Sequence, residues 1–176
     1  MKILVLAAGA GSRFKDYSSV PKPLIKLKGK EIIKRTTDSI WRAERYDNWH
    51  FAIPANIEME NSLRKLYPYA AFTIYPTLTR GNLETAYDCC LGNSFEDKSE
   101  PLLILDSDNA YDGAGLVRKF DEIKGGVAIC FFEPLDDSAK WCFCFSEEGR
   151  VWRVAEKNPE ALKFGGKPMI GTFYFS

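Results

Sequence analysis

The chain has 176 residues, 45% of them apolar, which suits one domain with a real hydrophobic core. Its 24 basic and 24 acidic side chains cancel, so no global field draws it to nucleic acid or to an anionic membrane, and neither partner is expected. The five cysteines (Cys89, Cys90, Cys130, Cys142, Cys144) form no C-x-x-C pair and His50 is the only histidine, which removes four-ligand zinc spacing.

Ile3-Leu4-Val5-Leu6 is a short apolar run bounded by turn residues, the pattern of a strand covered on both faces. Ala7-Ala8-Gly9-Ala10-Gly11-Ser12-Arg13-Phe14 follows at once, and Pro21-Lys22-Pro23-Leu24 closes the stretch. Gly9 and Gly11 lack a Cβ, so backbone N–H groups there can close around an anion. Arg13 and Lys22 add full positive charge beside those dipoles. The third glycine of a dinucleotide fingerprint would fall at Phe14, and no Gly-Lys-Ser/Thr follows to make a Walker loop. Composition and spacing therefore give an anion site of a kind that suits a polyphosphate.

These residues carry a resemblance. Leu6-Ala7-Ala8-Gly9-Ala10-Gly11-Ser12-Arg13 with Pro21-Lys22-Pro23-Leu24 resembles the signature of the nucleotidyltransferase family typified by sugar-1-phosphate nucleotidylyltransferases. Phosphocholine cytidylyltransferases of the same superfamily look similar. The resemblance implies that Leu6, Ala7, Ala8, Gly9, Gly11 and Ser12 wrap a nucleoside triphosphate. It implies catalytic roles for Arg13, on the phosphates, and Lys22, at the reacting phosphorus.

Gly29-Lys30 marks a turn, and Ile33, Thr36, Thr37, Ile40 and Trp41 then recur at helix spacing and predict a helix over 32–45. Residues 48–54 read as a second strand ended by Pro54, 58–66 as a helix stopped near Pro68, and 72–75 as a third strand. A polar loop over 76–82 leads into a helix over 84–91. Gly81 permits the close backbone approach that reading a base edge requires. The resemblance loosely places Gly81 and Asn82 against the nucleotide base; the alternative is a plain helix start.

Residues 101–105 form the next buried strand, which ends in Asp106-Ser107-Asp108-Asn109. Carboxylates at the carboxyl end of a strand in an open α/β sheet sit where ligands bind, and they suit a hard cation such as Mg2+. The resemblance puts the metal on Asp108, just before Asn109, with Asp106 as the second candidate. Asp112 reads as the cap of a helix over 116–123. Residues 126–132 predict a strand, and 143–146 with 150–155 predict a hairpin turning at Glu147-Glu148-Gly149. Cys142 and Cys144 alternate with Phe143 and Phe145 and read as small buried hydrophobes on one strand face. Gly165-Gly166 reads as a flexible bend before a last strand over 170–175.

A second resemblance covers 141–175. Glu-Gly, then Val-x-x-Val-x-Glu-Lys, then Gly-x-x-Tyr-Phe is similar to the acceptor half of the same family. It implies that Glu156 holds acceptor hydroxyls, that Lys157 holds the acceptor phosphate, and that Gly171 belongs to the same acceptor site.

Strands alternate with helices to about residue 125 and then dominate. That order predicts an α/β fold: a three-layer Rossmann-like, mixed and mostly parallel sheet with a late β-rich acceptor lobe. In the terms of the resemblance this is the nucleotide-diphospho-sugar transferase-like fold. The expected organisation is one nucleotidyltransferase domain over 1–176, with a nucleotide-binding half over 1–125 and an acceptor-binding half over 126–176. Family members continue past the Gly-x-x-Tyr-Phe strand to a second metal-binding aspartate. No acidic residue lies over 161–176, so the domain is expected to be truncated at its carboxyl end.

The implied function is Mg2+-dependent transfer of a nucleoside monophosphate from a nucleoside triphosphate to a small phosphorylated acceptor, with release of pyrophosphate. A sugar 1-phosphate is the first expectation and phosphocholine the second, within sugar-nucleotide and polysaccharide biosynthesis. Three matters stay open: a catalytically impaired nucleotide-binding or regulatory module of the same fold, a related glycosyltransferase that uses Asp-x-Asp, and assembly as a homo-oligomer. The odd cysteine count and the lack of a signal peptide predict reduced thiols and a cytoplasmic protein, and no apolar run approaches the ~20 residues of a membrane helix.

Overall fold

The computed structural model describes residues 1–14, 16–41, 48–92, 95, 99–134, 141–158 and 160–176, with the backbone alone for Arg13 and Trp41. In chain order the elements are β1 (Lys2–Leu6), β2 (Lys26–Leu27), β3 (Lys30–Glu31), α1 (Ile32–Trp41), β4 (Trp49–Pro54), α2 (Ile57–Leu66) and β5 (Ala71–Tyr75). There follow α3 (Asn82–Leu91), β6 (Leu102–Asp106), α4 (Gly113–Asp121), β7 (Val127–Phe131), β8 (Cys142–Glu147), β9 (Arg150–Glu156) and β10 (Lys167–Phe175).

The main sheet runs β5-β4-β1-β6-β10-β8-β9, with β7 also paired to β10. β5, β4, β1 and β6 are mutually parallel, and β10 joins β6 antiparallel. Alternation along β1 explains the layers. Ile3 and Val5 pack with Ile33 and Ile40 of α1, Met59 and Leu63 of α2, and Phe120 of α4. Leu4 and Leu6 face the other way, onto Ala86 and Cys89 of α3. A strand buried on both faces must be apolar throughout, which is why the run at 3–6 contains no polar residue. The late strands keep a small core of their own around Phe143, Phe145 and Ala161.

Local chemistry sets the ends. Asn56 caps α2, its side chain accepting from the Met59 N–H at 2.8 Å, and Arg64 and Lys65 sit in the last turn where the helix dipole favours cations. Lys28 and Gly29, then Glu148 and Gly149, take positive φ in pairs, the two-residue turn that matches strand twist in the β2–β3 and β8–β9 hairpins.

The differences from expectation have physical causes. α4 starts at Gly113 rather than 116, because Asp112 caps it directly through the Gly115 N–H. β10 starts at Lys167 rather than 170, paired to β8 through Lys167 and Pro168. Gly165-Gly166 forms a hydrogen-bonded turn. Gly165 takes φ 79° after a 3-10 turn over Leu162–Phe164, and the Gly166 N–H donates to the Ala161 carbonyl at 2.7 Å. The expected helix end at 42–45 and Pro159 lie outside the described residues.

From β1 the chain moves outward to β4 and β5, then crosses to β6 on the other side of β1. The β1–β6 boundary is thus the topological switch point, where an open α/β sheet presents its crevice. Leu6 and Asp106 lie in register across it.

Candidate active site at the switch point

Two loops meet in the crevice. After β1, the Ala7 N–H still donates to the Ala52 carbonyl at 2.8 Å, and the chain then turns at Gly11, whose φ of +58° favours glycine. A Cβ there would lie 3.4 Å from the Lys22 Cβ, so the glycine loop rests directly on the Pro-Lys-Pro segment. Ser12–Phe14 and Lys22–Leu24 each form one 3-10 turn. Pro23 and Leu24 are buried and anchor the second turn. Lys22 is left partly open, with its ammonium 5.6 Å from the Phe14 ring centroid and ion-paired to Asp108. A cleft of about 320 Å³ opens here, lined by Ala7, Gly9, Gly11, Lys22, Asn56 and Leu78 among others.

The second loop leaves β6. Asp106, its last residue, is half-buried and accepts from the Asn82 amide nitrogen at 2.6 Å. On its other side Gly171 of β10 approaches so closely that a Cβ would sit 1.9 Å from Asp106 Oδ2. Burial, reinforced by the Asp108 charge and opposed by Lys22, pushes the Asp106 carboxyl up to about 7. Asp108 is exposed at the mouth.

Asn82 opens α3, and the loop before it is pinned. Thr79 and Thr85 hydroxyls lie 2.6 Å apart, and the Thr85 hydroxyl donates to the Gly81 carbonyl at 3.1 Å. Arg80 turns to Glu84, with its backbone N–H 2.5 Å and its Nε 2.9 Å from the carboxylate, and these contacts hold Glu84 below the usual carboxylate range.

Asp106 and Asp108 supply hard carboxylate oxygens of the sort Mg2+ takes, and Mg2+ commonly uses only one or two of them beside substrate phosphates. Among the described residues no group of three His, Cys, Asp or Glu could hold a metal by itself. The donor set fits an ion shared with a phosphate ligand and does not fit a closed all-protein site.

Of the residues singled out in the sequence, Gly11, Lys22 and Asp108 form one chain of contacts and Asn82, Asp106 and Gly171 another, and the charges of Lys22 and Asp108 act on Asp106. Ala7 and Gly9 line the same cleft, Gly81 precedes Asn82, Ala8 is buried behind the loop, and Ser12 is exposed. The Arg13 side chain lies outside the described residues. Glu156 and Lys157 stand at the end of β9, both exposed, paired with each other at 3.3 Å rather than with this cluster. Lys157 takes φ 47°, a left-handed position unusual for a side-chain-bearing residue. Sequence reasoning missed Tyr111 and Thr172. Their hydroxyls lie 2.6 Å apart and fasten the loop after β6 to β10 beside Gly171, a contact across 61 positions that no local pattern announces.

Neither a protein-family model nor a curated protein matches this sequence. Solved structures do. The inositol-1-phosphate CTP transferase from T. maritima superposes with a TM-score of 0.78 at 16% identity, over 99% of this chain and 70% of that one. The nucleoside-diphosphate-sugar pyrophosphorylase from Vibrio cholerae RC9 gives 0.74 at 16% identity, over 99% and 72%. HddC from Yersinia pseudotuberculosis, complexed with GMP-PN, gives 0.70 at 15% identity, over 99% and 76%. The chain therefore has the mixed, mostly parallel α/β fold that these three proteins share.

Proposed function

We propose that this chain transfers a nucleoside monophosphate from a nucleoside triphosphate to a sugar 1-phosphate or a similar small phosphorylated acceptor. The observation that carries the reading is the Lys22–Asp108 contact, which joins the Pro-Lys-Pro segment under the glycine loop to the acidic tip of β6 at the switch point. The fold shared with an inositol-1-phosphate CTP transferase and a nucleoside-diphosphate-sugar pyrophosphorylase supports the same reaction class.

In this reading an acceptor phosphate oxygen attacks the α-phosphorus in line. The bond from that phosphorus to the bridging oxygen breaks, and pyrophosphate leaves with the electron pair. Little covalent work falls to the protein, so its task is alignment and charge neutralisation. The N–H groups around Gly9 and Gly11 hold the triphosphate, with Arg13 on the departing phosphates and Lys22 at the α-phosphate. Asp108 would hold Mg2+, which when bound neutralises charge between the phosphates. Lys157 would anchor the acceptor phosphate and Glu156 the acceptor hydroxyls. A cytoplasmic enzyme of sugar-nucleotide and polysaccharide biosynthesis is the setting this chemistry suits, and no described helix is long and apolar enough to cross a membrane.

A pyrophosphate-release screen of four nucleoside triphosphates against sugar 1-phosphates and phosphocholine, with and without Mg2+, tests the reading. Lys22→Ala should stay folded and lose at least roughly a hundredfold in turnover, the scale of one lost electrostatic contact to the transition state. Turnover near the parent level would reject Lys22 as catalytic, and no pyrophosphate from any pair would reject the reaction.

A further inference from the structure

We propose that Asp106 is a positioning residue, which fixes the Asn82 amide for reading a nucleobase, and not a second metal ligand. The proposal rests on the nucleotide-binding reading above. One Asp106 oxygen is engaged and the other is hemmed in. Oδ1 accepts from Asn82 Nδ2 at 2.6 Å, and Oδ2 lies where a Cβ on Gly171 would come within 1.9 Å of it. The strand backbone at Gly171 leaves the carboxyl no room to swing away from Asn82. The Asn82 amide presents its nitrogen to Oδ1, and the ionised carboxyl, which only accepts, selects that side of the amide.

An amide carries two N–H donors and one carbonyl acceptor, and this contact uses one donor. Asn82 is exposed at the first turn of α3, so one N–H and the carbonyl remain for a ligand. Held at a fixed angle, that pair matches a base edge that offers an acceptor beside a donor. Mg2+ needs near-octahedral geometry at about 2.0–2.1 Å, which a carboxyl wedged between an amide and a strand backbone does not provide. Asp108 is more exposed than Asp106, and its ion pair with Lys22 runs through Oδ2.

The test measures calorimetric binding of CTP, UTP, GTP and dTTP in EDTA, where a metal ligand has no part, alongside nitrogen-15 spectra of the Asn82 side-chain amide. Asp106→Ala should weaken metal-free binding of the preferred nucleotide roughly tenfold, as one oriented contact is lost. Asp106→Asn keeps an acceptor for Asn82 and should stay within about twofold of the parent. Asn82→Ala should match Asp106→Ala, and the double variant should be no worse than either. In Asp106→Ala the Asn82 amide pair should move to free-side-chain positions; in Asp106→Asn it should not. Parent-like metal-free binding by Asp106→Ala, or equal damage in Asp106→Asn, overturns the proposal. If the parent protein binds none of the four, the nucleotide reading fails, and the base-reading role falls with it. The amide spectra still report separately on whether Asp106 holds Asn82.

Discussion

Gly171 has no space for a methyl group. The nearest atoms to a Cβ there are Asp106 Oδ2, Cγ and Oδ1, at 1.9, 2.2 and 2.6 Å, so the whole carboxyl would have to leave. Leaving breaks the Asn82 bond and exposes no easy alternative, so Gly171→Ala should lower unfolding free energy by about 2 kcal/mol, in the range of core overpacking. In an Asp106→Ala background the obstacle is gone and the same change should fall below roughly 0.5 kcal/mol, a coupling that urea denaturation of all four variants measures. A full penalty in both backgrounds would mean that Gly171 is constrained by something else. This pairing also marks the limit of reading residues from sequence. The chemical types of Lys22, Asp106, Asp108 and Asn82 were legible because each sits at a break between elements. Their contacts were not, because Lys22–Asp108 spans 86 positions and Asn82–Asp106 spans 24. The resemblance singled out Gly171 as an acceptor residue, but nothing in the sequence announced its close approach to the β6 carboxyl.

At the scale of elements, helix α4 lies against α1 through a glycine. A Cβ on Gly113 would meet the Ser39 carbonyl oxygen at 1.8 Å and the Ile40 Cα at 2.8 Å. These are backbone atoms, so relief requires moving one helix, and the Phe120 and Ile40 packing moves with it. Gly113→Ala should therefore cost about 3 kcal/mol. Gly115→Ala is the contrast, since the three atoms nearest its Cβ all belong to the Asp112 side chain, the first at 2.7 Å. That exposed carboxylate can rotate away, and the change should stay within about 1 kcal/mol, with helix propensity offsetting part of the lost cap. Similar losses at the two positions in thermal unfolding would refute the close-packing account. Gly-Ala-Gly looks like a loop by propensity, and only the approach of α1 at Gly113 shows why a helix starts there with glycine. The parallel strands were legible as apolar runs with turn residues at each end. The β2–β3 hairpin was legible only as a turn, since strands of two residues carry no periodicity.

For the whole molecule, two of the described groups act on stability in opposite directions between about pH 4 and 7. His50 lies in β4, between β1 and β5, opposite Leu4 and Ala71. It is 4% exposed, its Nε2 is 2.7 Å from the Thr73 hydroxyl, its ring tilts against Phe95, and its buried Nδ1 has no hydrogen-bond partner among the described residues. Burial lowers its pKa from 6.5 to about 4. Between those values the unfolded chain binds a proton that the folded chain refuses. Stability therefore falls as pH drops from 6.5 towards 4, by up to about 3 kcal/mol. Asp106 does the reverse, because its folded carboxyl titrates near 7 instead of 3.8. There the folded state holds the extra proton, so its contribution is present at low pH and is lost as pH rises from 3.8 through 7. The slopes oppose one another across the shared window, and the parent protein in EDTA should show a shallow profile between pH 4 and 6.5. Asp106→Asn should uncover the histidine limb, with stability rising over that interval. His50→Gln should uncover the carboxyl limb, with stability falling. Urea midpoints at four pH values separate the three curves, and the single histidine gives one Cε1–H resonance to follow directly. An imidazole that titrates near 6.5 in the folded protein would remove the histidine limb, and Asp106→Asn would then be flat.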